Sequence, residues 1–279
     1  MRTIAILTDF GTADVFVGVM KGVILSCAPR ARIVDLTHEI PPGDVRAAAL
    51  RLWQAAPCMP KGTIYLAVVD PGVGSARRAV AAVTPTFACV GPDNGVFTWL
   101  LARQPRVKAV EIALPRAGSA TFHGRDVFAP AAGRLSAGVP LGRLGPSLAD
   151  LQTLPFPRLA PEVSGAPARS GAVHGEVLLS DRFGNLLTSI GVLAAGDGFL
   201  RMDPWIPGCQ EVRLEARRFQ VRLPDGQTVP LARTFSDVPA GSPLAYIGSD
   251  GLLEIGVNRG SAAERFGLLR GSEVVLSPT

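Results

Sequence analysis

Lysine is nearly absent from this chain. Of its 28 basic residues only Lys21, Lys61 and Lys108 are lysines, and the rest are arginines. The arginines are scattered, so the net charge of +5 marks no nucleic-acid surface. Charged residues make up 18% and apolar ones 47%, which excludes general disorder and predicts a sizeable core. Cysteine is scarce. Cys27, Cys58, Cys89 and Cys209 form no CxxC pair and no disulfide framework, so reduced packing residues are expected. Three histidines, His38, His123 and His174, do not indicate zinc. No apolar run reaches a membrane-spanning length, and the N-terminus enters a strand without a leader pattern. The expectation is a cytoplasmic protein with neither a membrane nor a nucleic-acid partner.

The stretch that organises the rest is Ala67-Val68-Val69-Asp70-Pro71-Gly72-Val73-Gly74-Ser75-Ala76-Arg77-Arg78. An apolar strand, Ile64 to Val69, stops on a carboxylate. Pro71, Gly72 and Gly74 turn the chain, and Arg77 follows. In open α/β sheets the crevice outside the carboxyl ends of the strands binds ligands. The plain alternative is a surface turn closed by an Asp-Arg ion pair. Earlier strands are expected at Thr3 to Leu7 and Ala31 to Leu36. Between them a helix capped by Thr12 carries Val15, Phe16, Val19, Val23 and Ile24 on one face. A second helix, capped by Asp44, runs to about Ala56. The β-α-β-α-β order predicts a parallel-rich sheet, with Asp9, Asp35 and Asp70 at strand ends on one rim. A strand pair (Ala79 to Pro85, Phe87 to Val90), a helix from Val96 to Arg103, a strand from Val107 to Ile112 and a helix from Val127 to Leu135 complete an α/β domain of residues 1–155. Pro157, Pro161 and Pro167 mark a linker at 156–170. Short β runs separated by turns then predict a smaller all-β, barrel-like domain over 171–279.

Asp9, Asp70, Arg77, Asp93, Asn94 and His123 all fall in glycine-bounded turns. Singly, each reads as a cap, turn or scaffold residue. Together, a carboxylate, a guanidinium and an imidazole can orient and polarise a water while the arginine keeps the carboxylate ionised. Clustered carboxylates also fit a divalent-metal hydrolase, but no HxH, HxD or DxD spacing supports one. In the second domain the turns Ser180 to Asn185 and Tyr246 to Gly251 read as hairpin connections. Alternatively, Asp181 and Ser249 bind a zwitterion and Asn185 reads a heterocycle edge.

At these residues the sequence resembles the S-adenosylmethionine hydroxide adenosyltransferases, relatives of the S-adenosylmethionine-dependent fluorinase and chlorinase. The resemblance spans nearly the whole chain, through TDFG (Thr8 to Gly11), DLTHEIPPGD (Asp35 to Asp44), VVDPGVGSARR (Val68 to Arg78), GPDNGVF (Gly91 to Phe97), TFHGRDVFAP (Thr121 to Pro130), DRFGNLLTSI (Asp181 to Ile190) and the segment from Tyr246 to Arg259. It implies an α/β domain followed by a β-barrel, a homotrimer with inter-subunit active sites, and hydrolysis of S-adenosylmethionine to adenosine and L-methionine without a cofactor or metal. It further implies that Asp70, Arg77 and His123 are catalytic, with Asp70 and His123 positioning and partly deprotonating a water. Asp9 would hold the ribose hydroxyls, Asp181 and Ser249 the amino acid group, and Asn185 and Phe235 the adenine. His123, Gly124 and Arg77 favour water over halide as nucleophile, since the fluorinase has a tyrosine and a serine at the first two. Val257 stands where the fluorinase has an arginine, which leaves the purine contacts there without a side chain to assign. A module that binds S-adenosylmethionine without turnover is the alternative from another class.

Overall fold

The computed structural model describes residues 2–115, 118–164, 169–216 and 218–279, in two compact units, Met1–Pro155 and Phe156–Thr279. The first begins with β1 (Thr3–Thr8), α1 (Phe16–Cys27), β2 (Arg32–Thr37), α2 (Val45–Ala55) and β3 (Ile64–Val68). It continues with β4 (Ala79–Val83), β5 (Ala88–Pro92), α3 (Thr98–Leu101), β6 (Lys108–Glu111), α4 (Ala129–Ser136) and β7 (Ser147–Leu148). The sheet order is β2-β1-β3-β5-β4-β6-β7. β2, β1, β3 and β5 are mutually parallel, while β4, β6 and β7 add antiparallel pairs. The sheet is therefore parallel at one half and antiparallel at the other.

The parallel half explains why β1 and β3 read as unbroken apolar runs: both faces are covered. Ile4, Ile6, Ile64, Leu66 and Val68 join one core cluster with Met20 and Ile24 of α1 and Ala131, Ala132 and Leu135 of α4. The alternating residues Ala5, Leu7, Tyr65 and Ala67 are just as buried, on the side where α2 packs against β1. At about 25 cal/mol per Å² of apolar surface, each such large side chain contributes roughly 2 kcal/mol.

Three local expectations are corrected. Thr12 does not cap α1. The helix starts at Phe16 with no side-chain cap, and the Thr12 hydroxyl donates to Glu39 Oε1 at 3.3 Å. The helix expected from Val96 to Arg103 shrinks to Thr98–Leu101. Asn94 Oδ1 accepts from the Val96 amide and Gly95 O from the Thr98 amide, so the preceding residues are spent in a turn. The third change follows His123, where Gly124–Phe128 form one wide π turn ahead of α4. Asp44 does cap α2, accepting from the Ala47 amide at 2.9 Å.

The second unit comprises β8 (Leu159–Ser164), β9 (Arg169–Ser180), β10 (Leu186–Thr188), β11 (Leu193–Gly196), β12 (Phe199–Met202), β13 (Val212–Glu215) and β14 (Phe219–Arg222). It ends with β15 (Thr228–Pro230), β16 (Pro243–Ile247), β17 (Leu253–Val257), α5 (Ala262–Phe266) and β18 (Glu273–Pro278). Pairing runs from β9 through β10, β17 and β16. From there a single bridge, Leu231 to Ala245, reaches the end of β15, and β14 and β18 lead back to β9. The sheet thus closes nearly into a barrel around Val173, Val177, Leu186, Val221, Ile255, Val274 and Leu276. Within the stretch expected as a linker, β8 pairs antiparallel with β9, with a register shift beside Pro161. That pairing suits proline, because β8 is bonded on one side only. Pro167 lies outside the described residues.

Candidate active site

β3 and β4 are consecutive but not adjacent, because β5 lies between them. β5 runs parallel to β3 and antiparallel to β4, so the exits of β3 and β5 and the entry of β4 share one edge. The connection at 69–78 therefore passes over the end of β5, carrying Asp70 at its start and Arg77 near its finish. Residues emerging from β5 fasten both ends. Asn94 Nδ2 donates to the Val69 carbonyl at 2.9 Å. Arg78 Nε donates to Asp93 Oδ2 at 2.7 Å, and the Asp93 amide donates to the Arg78 carbonyl at 3.0 Å. Asp93 and Asn94, candidates for chemistry in the sequence, hold the loop in place. Gly74 is needed at its apex: its φ is +79°, and a Cβ would lie 3.1 Å from the Ala120 carbonyl oxygen.

Within this frame Arg77 folds back on Asp70. Nε donates to Oδ1 and Oδ2 at 2.9 and 3.0 Å, and Nη2 donates to Oδ2 at 2.5 Å. The side chains of Asp70 and Arg77 are 6% and 10% exposed, so the pair is desolvated and its geometry is fixed by the fork. Nη2 also lies 2.7 Å from His123 Nδ1, and the guanidinium sits over the Phe128 ring at 5.2 Å. Nη1 is buried with no partner among the described residues.

The direction of the Arg77–His123 bond sets the histidine's chemistry. A guanidinium only donates, so Nδ1 accepts and the proton of the neutral ring sits on Nε2. Burial lowers the His123 pKa below its ordinary value, and the Arg77 charge lowers it further, against opposing pulls from Asp70 and Asp126. His123 is thus neutral near pH 7 and presents an N–H donor, where the sequence alone allowed it to be a base.

A cavity of about 270 Å³ opens beside this group, lined by Asp9, Asp70, Thr121 and His123 on its polar side. Phe10, Val68, Val73, Phe122 and Gly124 form its apolar wall. Asp9 Oδ2 accepts from the Gly43 amide at 2.8 Å, and Oδ1 has no hydrogen bond from the described residues. Phe10, Phe16 and Phe122 pack edge to face, with centroids 5.3 to 6.1 Å apart. A Cβ on Gly124 would meet Met20 Sδ at 3.1 Å and both the Phe122 and Phe10 rings within 3.4 Å, so glycine lets this wall close.

The second unit gathers the other predicted residues. Asp181 turns inward on its own loop: Oδ1 accepts from the Phe183 and Asn185 amides, and Oδ2 from Asn185 Nδ2 at 3.0 Å. Asn185 is buried, and a Cβ on Gly256 would lie 2.9 Å from both its Oδ1 and the Phe235 ring, which places the three together. Phe235 in turn packs on Tyr246, centroids 5.0 Å apart. Ser249 is exposed in the turn after β16. Sequence reasoning missed Glu254, which accepts from the Tyr246 hydroxyl at 2.5 Å. Its only signal was a carboxylate between the apolar residues Leu253 and Ile255. Burial first, then this bond to Glu254, pushes the Tyr246 pKa up, so the phenol keeps its proton. Among the described residues no group of three or more His, Cys, Asp or Glu side chains is placed to hold a metal.

Comparison with known proteins gives a consistent answer. Residues 4–145 match the model of the SAM hydroxide adenosyltransferase N-terminal domain, and residues 175–275 that of its C-terminal domain. A Thermus thermophilus protein named (R)-S-adenosyl-L-methionine hydrolase is 44% identical, over 99% of this chain and 100% of its own. A fluorinase from Actinoplanes is more distant, at 27% identity over 98% and 97%. A crystal structure of a conserved Thermotoga maritima protein superposes with a TM-score of 0.81 at 33% identity, covering 98% of this chain and 99% of that one. With both domain models matched in order along one chain, the protein belongs to the SAM hydroxide adenosyltransferase family.

Proposed function

We propose that this protein hydrolyses S-adenosyl-L-methionine at the ribose C5′ carbon, giving adenosine and L-methionine. The observation that carries the reading is the Asp70–Arg77–His123 chain, with the buried Arg77 Nη1 unpaired, beside a cavity that also holds Asp9. The relatives named (R)-S-adenosyl-L-methionine hydrolase support the same substrate.

The sulfonium leaves as a neutral thioether, so no acid need protonate it. The site must hold a water oxygen in line behind C5′, about 3 Å away, with bulk solvent excluded. One N–H, from Arg77 Nη1 or His123 Nε2, donates to one lone pair of that oxygen and leaves the other facing C5′. Asp70, whose carboxylate has lone pairs beyond those Arg77 engages, accepts an O–H from the same water. As oxygen bonds to C5′, the C5′–S pair returns to sulfur and the water proton leaves by way of Asp70. The N–H donor stabilises the hydroxide-like charge left on oxygen as its proton passes to Asp70, until the charge is spent in the bond to C5′. Asp9 Oδ1 is free to accept from the vicinal ribose hydroxyls. Asp181 and Ser249 would bind the amino acid group, and Asn185 and Phe235 the adenine. No cofactor enters this scheme.

The family also supports a homotrimer in which neighbouring copies complete each site. Mixing inactive Asp70→Asn and Asp181→Asn proteins should then restore part of the activity. All four cysteines are unpaired, which suits a reducing compartment, and we place the protein in the cytoplasm. No helix among the described residues is long and apolar enough to cross a membrane.

The deciding experiment incubates the protein with each sulfonium epimer in oxygen-18 water, with and without chloride, and weighs the nucleoside. Labelled adenosine is expected, formed faster from the (R) epimer. A 5′-chloro nucleoside, or bound but unchanged substrate, would overturn the reading.

A further inference from the structure

A second histidine stands behind the cavity, where nothing above gives it a role. His38 lies just after β2 with its side chain 5% exposed, beside Thr8, which is fully buried. Its Nδ1 is 2.9 Å from Thr8 Oγ1. The Thr8 hydroxyl oxygen already accepts from the Phe10 amide at 3.3 Å, so its own proton is free for Nδ1. The backbone follows the same route. The Gly11 amide donates to the His38 carbonyl at 2.8 Å, and the Ile40 amide to the Thr8 carbonyl at 3.4 Å. Together with the Gly43–Asp9 bond, these contacts staple both sides of Asp9 to the segment at 38–43.

On its far side, His38 Nε2 is 3.0 Å from Asp35 Oδ1, and Asp35 Oδ2 is 2.6 Å from Lys21 Nζ. The approach to Asp35 is an ion-pair distance without a hydrogen bond, and Nε2 is buried with no hydrogen-bond partner among the described residues. The side-chain hydrogen bond that the ring makes is the one to Thr8.

We propose that His38 is a positioning residue for Asp9. Through the Thr8 hydroxyl it sets the turn Thr8-Asp9-Phe10-Gly11, and so the direction in which the Asp9 carboxylate faces the cavity. The inference rests on the proposed ribose-binding role of Asp9. Its signature is on substrate capture and not on the chemical step, because Asp70, Arg77 and His123 are carried by other loops.

Two amide replacements separate this from a merely structural role. Asparagine at 38 places its amide oxygen where Nδ1 lies and keeps an acceptor for Thr8. Glutamine reaches toward the Nε2 position and serves Asp35 instead. KM and kcat for S-adenosyl-L-methionine would be measured for His38→Asn, His38→Gln and His38→Ala, with Asp9→Asn as the reference and thermal midpoints recorded for each. His38→Gln and His38→Ala should raise KM about tenfold, with kcat within about twofold of the parent. His38→Asn should restore KM. A His38→Asn protein as impaired in KM as His38→Ala, or midpoints that fall with KM unmoved, would overturn the inference. If Asp9→Asn itself leaves KM unchanged, it is the ribose-binding assignment of Asp9 that fails, and the two failures stay distinct.

Discussion

Arg77→Lys keeps the charge of the central residue and removes its shape. The arginine makes three contacts with Asp70, one with His123, and holds the buried Nη1 in reserve. A lysine ammonium can retain one carboxylate contact but cannot fork across both oxygens and reach the imidazole as well. His123 Nδ1 then loses its donor at a half-buried position, at a cost of about 1–3 kcal/mol. Loss of the guanidinium over Phe128 adds about 0.5–1 kcal/mol. The fold should therefore be weakened by about 2–4 kcal/mol and remain formed. The chemical step loses more. Removing one preorganised donor from a developing oxyanion costs roughly 2.7–4 kcal/mol, a fall in kcat of about 10²–10³. Adenosine release at saturating substrate gives kcat, and urea unfolding gives the stability change. A lysine variant that keeps kcat within about twofold of the parent, or loses only KM, would refute the role given to the guanidinium.

The acid side of the activity profile should follow His123. Burial and Arg77 hold its pKa below 6.5, and only the neutral ring accepts from Arg77, so kcat should fall on acidification at a midpoint below 6.5; a midpoint above that value would contradict the assigned tautomer. His174 behaves oppositely. It lies 2.9 Å from Glu273 and 2.8 Å from Glu162, and these bonds raise its pKa. Its stabilisation is full below the unfolded value of about 6.5 and is lost as pH rises through the higher folded value. The thermal midpoint advantage of the parent over His174→Gln should accordingly be present at about pH 6 and shrink by about pH 9. Asn94→Ala frees the Val69 carbonyl and the Val96 amide and should cost about 1–2 kcal/mol in urea unfolding. Because Val69 precedes Asp70, kcat should fall with it; unchanged kcat would mean that the loop holds its shape without that tie.

The first unit was legible because its signals are strong and local. Continuous apolar runs ending in Asp9 and Asp70 are what parallel strands covered on both faces require. Strand order was not readable. Nothing in the sequence says that β5 inserts between β3 and β4, so the fastening role of Asp93 and Asn94 could not be separated from chemistry. The π turn after His123 has no sequence signature, and Thr12 offered a cap that the turn after Asp9 leaves unused. In the second unit the longer strands were visible by alternation. β8 was masked by its prolines, and β11, read as Leu-Ala-Ala-Gly, shows no alternation of apolar and polar residues. The closing bridge from Leu231 to Ala245 is a long-range contact that no local pattern encodes. Asp9, Asp70, Arg77 and His123 were each picked out by position in a glycine-bounded turn; Asp9, Asp70 and His123 line one cavity, and Arg77 bonds to the last two. The hydrogen-bond direction that makes His123 a donor needed coordinates.

The phenyl wall of that cavity has a bearing on solvent itself. The side chains of Phe10, Phe122, Val68 and Val73 offer no hydrogen bond, so a water admitted there has its side-chain partners among Asp9, Asp70, Thr121 and His123. In bulk water the molecule tumbles among neighbours in every direction. Here so short a set of partners would pin its N–H-accepting and O–H-donating directions at once and leave one lone pair unclaimed. Most of the rotational entropy of attack is then surrendered when the water enters, before any substrate arrives.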